Sequence, residues 1–405
     1  MFNLNNYIWS NTSLTCILIA SSISLFAFLN SSMRDIADIY NKTIKTELFL
    51  IVLNLIYVLV LILMFKLNCV NIKSVLLLQL FNMILILSIY LFVLSKVLYS
   101  NLRLPSLKYI FFFTKKFYIF SHPLFITLLL GFVCGVCDRL ILNYSFGEIQ
   151  HGLYALSLKI STLLSIIVVS FTALYKKYLI ELLLLGDSNQ TRSFVKKSIY
   201  SIYFIVAYPA LFILVYSTEF SLIIGGQTFI EASSMVSIMC LYALGSVYSY
   251  LGNSILLVYE DTILIRNVTI FSRLLGIPLS FILITPYFGF LGLGGFGLSL
   301  KMFITQLLTI NIIFYFVTRM LSLNHLKYIC HQIIIVFVFY WFASFSKSLS
   351  FYSDLELFPM LLFSFFFYTI LILIFVFIFP YFTGFSKEEI SNNICSLTKK
   401  IYRKI

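Results

Sequence analysis

Charged side chains are scarce in this chain. Asp, Glu, Lys and Arg make up 11% of its 405 residues, where a soluble domain carries about a quarter. Apolar residues take their place, at 61% of the chain and a mean hydropathy of +1.02. That much apolar surface cannot be hidden in a water-soluble core of this length, which excludes a soluble enzyme and a disordered chain. The seven cysteines (16, 69, 134, 137, 240, 330, 395) show no framework spacing, which excludes a secreted disulfide scaffold. Cys134 and Cys137 form a C-x-x-C pair inside an apolar run with no second pair nearby, and read as small buried hydrophobes. The four histidines (122, 151, 325, 331) are scattered, with no pair at metal-ligand spacing. No nucleophile elbow, P-loop or pair of carboxylates within one span is present. Catalysis has almost nothing to work with, so the chain reads as a non-enzyme with no resident cofactor. The first apolar run has no basic region before it and no clear small-residue cleavage site after it, so no cleavable signal peptide is expected.

What is present is a series of long apolar runs. Eleven can be read, at 13–30, 48–65, 75–95, 117–137, 152–174, 198–217, 232–258, 267–285, 290–318, 328–346 and 357–380. Most are long enough to cross about 30 Å of hydrocarbon as helix. Helix is required, because unpaired backbone groups in lipid cost several kcal/mol each. A β-barrel would show short alternating segments, and these runs do not alternate. The fold class is therefore all-α, a polytopic membrane helix bundle of about eleven transmembrane helices.

The net charge of +13 is explained by sidedness. Gaps after odd-numbered runs, with the C-terminal tail and the nearby Arg273, hold 22 Lys and Arg, among them Arg34, Lys45, Arg103, Lys116, Lys177, Arg192, Arg319 and Lys400. The N-terminal segment and the gaps after even-numbered runs hold 4: Lys66, Lys73, Arg139 and Lys347. Cytoplasmic loops carry the excess of basic residues, so the C-terminus is expected inside and the N-terminus outside. The charge needs no nucleic acid as partner. The outer gaps are short, the longest being the loop expected at 138–151, and no gap could hold a soluble catalytic domain.

A charge inside a span needs a partner, water or a task. Lys301 is expected about 16 Å into its span and Lys159 about 10 Å, at 1.5 Å per residue. Arg273 is expected about 9 Å in from the cytoplasmic side. Lys301, Lys159 and Arg273 suggest a water-filled cavity with cationic walls, suited to an anionic substrate; the other reading is snorkelling to an interface. Ser157, Ser161 and Ser165 form a stripe roughly opposite Lys159, so only one of these faces lines a cavity. Asp138, Arg139, Glu148 and Glu231 sit near outer helix ends, and Asp138 with its neighbour Arg139 reads as a structural ion pair. A coupling cation, where one binds, has Asp138, Glu148 or Glu231 as its acidic candidates. Pro286, Gly289, Gly292, Gly294, Gly295 and Gly297 make a tight outer turn, and Gly225-Gly226 marks another outer connection. Pro209 and Pro278 fall inside spans, where they loosen the helix; Pro123 is expected near the start of its span.

Four strings fall in a familiar order. SHPLFITLLLGFVCGVCDRLIL (121–142) resembles the helix that opens the second lobe of O-antigen flippases, the Wzx-type polysaccharide transporters. GEIQHGLYALSLKIS (147–161) looks like that family's loop into the next helix. YPALFILVYSTEFSLIIGGQTFIEAS (208–233) is similar to its following helix, outer glycine turn and re-entry, and ITPYFGFLGLGG (284–295) to its Pro-x-x-Gly-x-x-Gly turn. The strings cover about half of the chain. The resemblance implies the fold of the multidrug/oligosaccharidyl-lipid/polysaccharide exporters, two lobes of six helices, often with two more, around a central cavity. The last eight spans would match its seventh to fourteenth helices. Three spans precede the second lobe where the family has six, so the chain starts late or its first lobe is reduced.

The organisation implied is a partial first lobe and basic linker at 1–116, a six-helix lobe at 117–318, two further helices at 319–380 and a basic cytoplasmic tail at 381–405. The function implied is a flippase in a bacterial inner membrane. Its substrate would be an undecaprenyl-diphosphate-linked oligosaccharide, with Lys159, Lys301 and Arg273 attracting the diphosphate. An O-antigen polymerase and a chain-length regulator are the partner proteins this reading adds. The alternatives are an O-antigen polymerase or ligase, which needs a larger outer loop, and a small-molecule exporter of the same fold, for which acidic mid-span residues would suit cationic drugs.

Overall fold

The computed structural model describes residues 14–40, 42–68, 71–101, 106–349 and 356–385. Arg103, Cys69, Cys395 and most of the basic tail lie outside the described residues. Every regular element among the described residues is helical, as the apolar runs require. Ten helices are long and apolar enough to cross a membrane. The chain divides into two compact units, Met1–Ile110 and Phe111–Ile405.

The first unit holds α1 (Leu14–Ile39), α2 (Thr43–Lys66) and α3 (Ile72–Asn101). Its buried apolar centre is small: Ala37, Tyr90 and Leu94. Asn30 on α1 donates its amide to the Met83 carbonyl of α3 at 3.0 Å, and Arg34 pairs with Glu47 at 2.9 Å. α2 buries almost nothing, as suits a strongly apolar helix with lipid for solvent.

The second unit starts within α4 (Leu107–Leu184), which is one helix by hydrogen bonding but is broken at Gly147 (φ 78°, ψ −176°). Only glycine takes that conformation readily. Then come α5 (Ser188–Val215), the short α6 (Ser217–Gly225), a 3₁₀ turn (Gln227–Ala232) and α7 (Ser233–Val258). They are followed by α8 (Thr262–Ile284), α9 (Gly294–Met320), α10 (His325–Leu349) and α11 (Leu357–Ile378). Asp187 caps α5 by accepting from the amides of Asn189 and Gln190 at 3.0 Å, and Asp261 caps α8 through Leu264 at 3.1 Å.

The contacts of α4 show that the chain reverses at Gly147. Before it, Gly131 lies beside Arg273, Asp138 meets Ser280 and Phe146 meets Gly294, so this arm climbs alongside α8. After it, Gln150 accepts from the Gly295 amide at 3.3 Å and Ser165 lies 3.2 Å from Ser246 on α7, so the second arm descends. α4 therefore contains two of the apolar runs, and the described residues make eleven passes. The gap expected as a loop at 138–151 is helical except at Gly147. The correction has a plain cause: no glycine or proline interrupts 138–146, and a continued helix keeps its backbone bonded near lipid. Pro123, expected near a helix start, lies well inside α4. A topology reporter fused at Glu148 is expected on the outer side, and one fused at Gly186 in the cytoplasm. Cytoplasmic signal from both would mean that α4 does not fold back.

The turn between α8 and α9 tucks against the end of α8. The Leu291, Gly292 and Leu293 amides donate to the Ile282, Thr285 and Leu283 carbonyls at 3.0, 3.1 and 2.9 Å. Gly292 (φ 58°) and Gly294 (φ 56°) take left-handed conformations there. This turn fixes the register of α9 against α8, and so sets which residue of α9 meets the buried face of α4.

Candidate functional site: a buried ion pair

Three helices meet at Asp138, Ser280 and Lys301. Asp138, on the first arm of α4, is 6% exposed; Ser280, on α8, 1%; Lys301, on α9, 2%. The Lys301 ammonium donates to Asp138 Oδ2 at 2.5 Å, and the Ser280 hydroxyl donates to Asp138 Oδ1 at 2.6 Å. Both oxygens of the carboxylate are thus occupied by groups of this chain. Gly276, one turn before Ser280, makes the room: a Cβ there would lie 3.2 Å from Lys301 Cε and 3.6 Å from Nζ.

Isolated charges in such a place are costly, and their mutual attraction offsets the cost only when geometry and hydrogen bonds are complete. Here they are complete on the carboxylate side. The pair is 163 residues apart in sequence and ties α4 to α9, with α8 between them. Lys301 lies seven residues from the start of α9, about 10 Å at 1.5 Å per residue, so it is nearer the outer end than the sequence suggested.

The Asp138–Arg139 pair expected from adjacency is not formed. Neighbouring helical residues point about 100° apart, and while Asp138 turns inward Arg139 is exposed. Lys301, expected free in an aqueous cavity, is instead held by Asp138. Arg273 is half-buried two turns below Ser280, beside Gly131 and within electrostatic reach of Tyr242. Lys159 is exposed, whereas Ser157, Ser161 and Ser165 on the opposite face are buried, with Ser165 against α7. The serine face is therefore a packing face. Glu148 and Glu231 are exposed and stand away from the buried pair. Cys134 is buried and Cys137 exposed, both with free thiols. Among the described residues, no three His, Cys, Asp or Glu side chains gather where they could hold a metal ion.

Sequence reasoning missed Ser280 and Gly276. A signal was available: Ser272, Gly276 and Ser280 recur every four residues on α8, and Lys301, Thr305 and Thr309 do so on α9. The two stripes face one another, with Thr309 2.8 Å from Ser272 and Thr305 beside Gly276. It also missed the outer pair Glu219–Lys347 (2.8 Å), in which Lys347 additionally donates to the Val215 carbonyl at 3.1 Å.

Among the described residues, the Asp138–Lys301 pair is buried between apolar helices, with Lys159 and Arg273 on neighbouring elements. No protein-family model matches the chain, and no curated protein matches its sequence. Its fold does match a solved structure, the Lipid II flippase MurJ in an inward closed conformation. The TM-score is 0.61 at 15% identity, over 89% of this chain and 74% of that one. The chain is a multi-pass helical membrane protein whose fold is similar to that of MurJ.

Proposed function

We propose that this protein is a flippase for a lipid-linked oligosaccharide. The observation that carries the reading is the MurJ-like fold, shared over 89% of the chain with a protein that flips Lipid II. The O-antigen type of substrate, on undecaprenyl diphosphate, rests on the four ordered strings between 121 and 295. The glycan headgroup would enter from the cytoplasmic side of a bacterial inner membrane and leave on the periplasmic side while the prenyl tail stays in lipid. Rocking of helical lobes supplies such alternating access. The excess of basic residues in the gaps after odd-numbered runs supports a cytoplasmic C-terminus.

The roles of the cations divide in this reading. Lys159 is exposed and Arg273 half-buried, so these two are free to attract a diphosphate. Lys301 is neutralised by Asp138 and serves the integrity of the site. A polymerase and a chain-length regulator would act on the product side.

The test is a deletion strain. Lipid-linked repeat units should accumulate on the cytoplasmic leaflet, and the long surface glycan should disappear. Arg273→Ala or Lys159→Ala, returned to that strain at normal abundance, should each lower export about tenfold, the value of one charge-assisted hydrogen bond of roughly 1.5 kcal/mol. A deletion strain that still caps its lipid core with a single repeat unit has intact translocation, and that result would refute the flippase reading in favour of a polymerase.

A further inference from the structure

Among the described residues of the second unit, Asp138 is the buried acid on which a coupling cation would be expected to sit, yet its carboxylate is already served by the chain. Oδ2 takes the Lys301 ammonium at 2.5 Å and Oδ1 takes the Ser280 hydroxyl at 2.6 Å. The carboxylate that holds the ammonium also accepts from the Ser280 hydroxyl, and carboxylate and hydroxyl oxygens are of the kind that bind hard cations. Gly276 presents no side chain to this space, and the ammonium lies over it.

We infer that Lys301 is a built-in counter-cation: its ammonium fills a monovalent-cation site formed by Asp138 and Ser280, so that this site takes no inorganic cation in the native chain. Three observations support this. The ammonium is nearly inaccessible, so a solvent ion cannot displace it without opening the helix packing. One positive charge already balances the one carboxylate, and a second cation would be unpaired in low dielectric. The lysine reaches the carboxylate from a different helix, so the charge that balances Asp138 is fixed to the helix scaffold rather than exchanged with solution. Replacing the lysine by a small neutral side chain leaves the same carboxylate and hydroxyl facing a vacated space. That space should then take Na⁺ or Li⁺.

The experiment uses the full-length chain purified in detergent and follows its thermal unfolding midpoint, so it does not depend on what the protein transports. NaCl, LiCl, KCl and N-methylglucamine chloride are compared at equal ionic strength. The native chain should show the same midpoint in all four. Lys301→Ser should unfold at least ~3 °C higher in NaCl or LiCl than in N-methylglucamine chloride, and the gain should saturate as a bound ligand's does. Asp138→Asn combined with Lys301→Ser should abolish the response. Recovery of Lys301→Ser only when Na⁺ or Li⁺ is present during extraction counts as the same response. The inference is overturned if Lys301→Ser has one midpoint in every salt, or if it is lost in every salt while the double variant is recovered. It is also overturned if the native midpoint rises saturably with Na⁺ and Asp138→Asn removes that rise.

Discussion

Lys301→Glu is expected to remove the protein from the membrane. The new carboxylate would face Asp138 across the space now spanned by a 2.5 Å ion pair, with both groups almost fully buried. Breaking a buried pair by losing one partner costs about 3–5 kcal/mol, and like charges at the same place add to that. Native proteins are stable by only about 5–15 kcal/mol in total. Lys301→Ala should also lower abundance, since it leaves Asp138 without its cation. A Lys301 standing unpaired in an aqueous cavity would instead leave the abundance of that variant normal. The charge-exchanged protein, Asp138→Lys with Lys301→Glu, should regain most of the lost abundance, because the pair re-forms between the same helices. Quantitative membrane blots and the thermal midpoint of the detergent-extracted protein measure both steps. Lys301→Glu at normal abundance would show that the site is hydrated and the pair dispensable.

A single methyl at Gly297 should do damage of a similar kind. A Cβ on Gly297 would run directly onto the carbonyl of Leu283, a backbone group that cannot rotate away. The ends of α8 and α9 must then separate, and the Leu293-to-Leu283 hydrogen bond of 2.9 Å is strained with them. Lys301 follows one turn later on α9, so its alignment with Asp138 shifts too. Overpacking of this type costs about 1–3 kcal/mol, and the loss of pairing should place Gly297→Ala at the upper end. Gly152→Ala is the matched control. A Cβ there meets nothing within 4 Å, in the helical second arm of α4, so the substitution should be neutral or stabilising by up to about 1 kcal/mol. Thermal midpoints of the two variants should therefore move apart. Equal midpoints would show that the α8–α9 turn has slack.

The composition and the apolar runs were enough for the all-helical class and for the passes, because lipid leaves the backbone no other way to satisfy itself. The alternation of basic gaps leads to an expected orientation, which the reporter fusions test, since that signal is written in loop residues and not in contacts. The reversal at Gly147 lay inside a gap that the sequence marked. That the gap is helix and not loop depends on the absence of breakers from 138 to 146, a weaker signal than hydrophobicity.

The partners of the charges belonged to the tertiary structure. Asp138 has Arg139 beside it in sequence, but adjacent helical positions diverge, and the carboxylate meets Lys301 from 163 residues away. Lys159 and the stripe of Ser157, Ser161 and Ser165 were legible as two opposed faces. Which one is buried was decided only when the stripe met α7 through Ser246. Ser280 and Gly276 gained their meaning in the same way, from the register that the α8–α9 turn imposes. Hydrophobic run length and charge sidedness are properties of a segment and its solvent, so the sequence determines them by itself. Ion pairing at Asp138 depends on which face of one helix meets which face of another, and only the packed bundle fixes that.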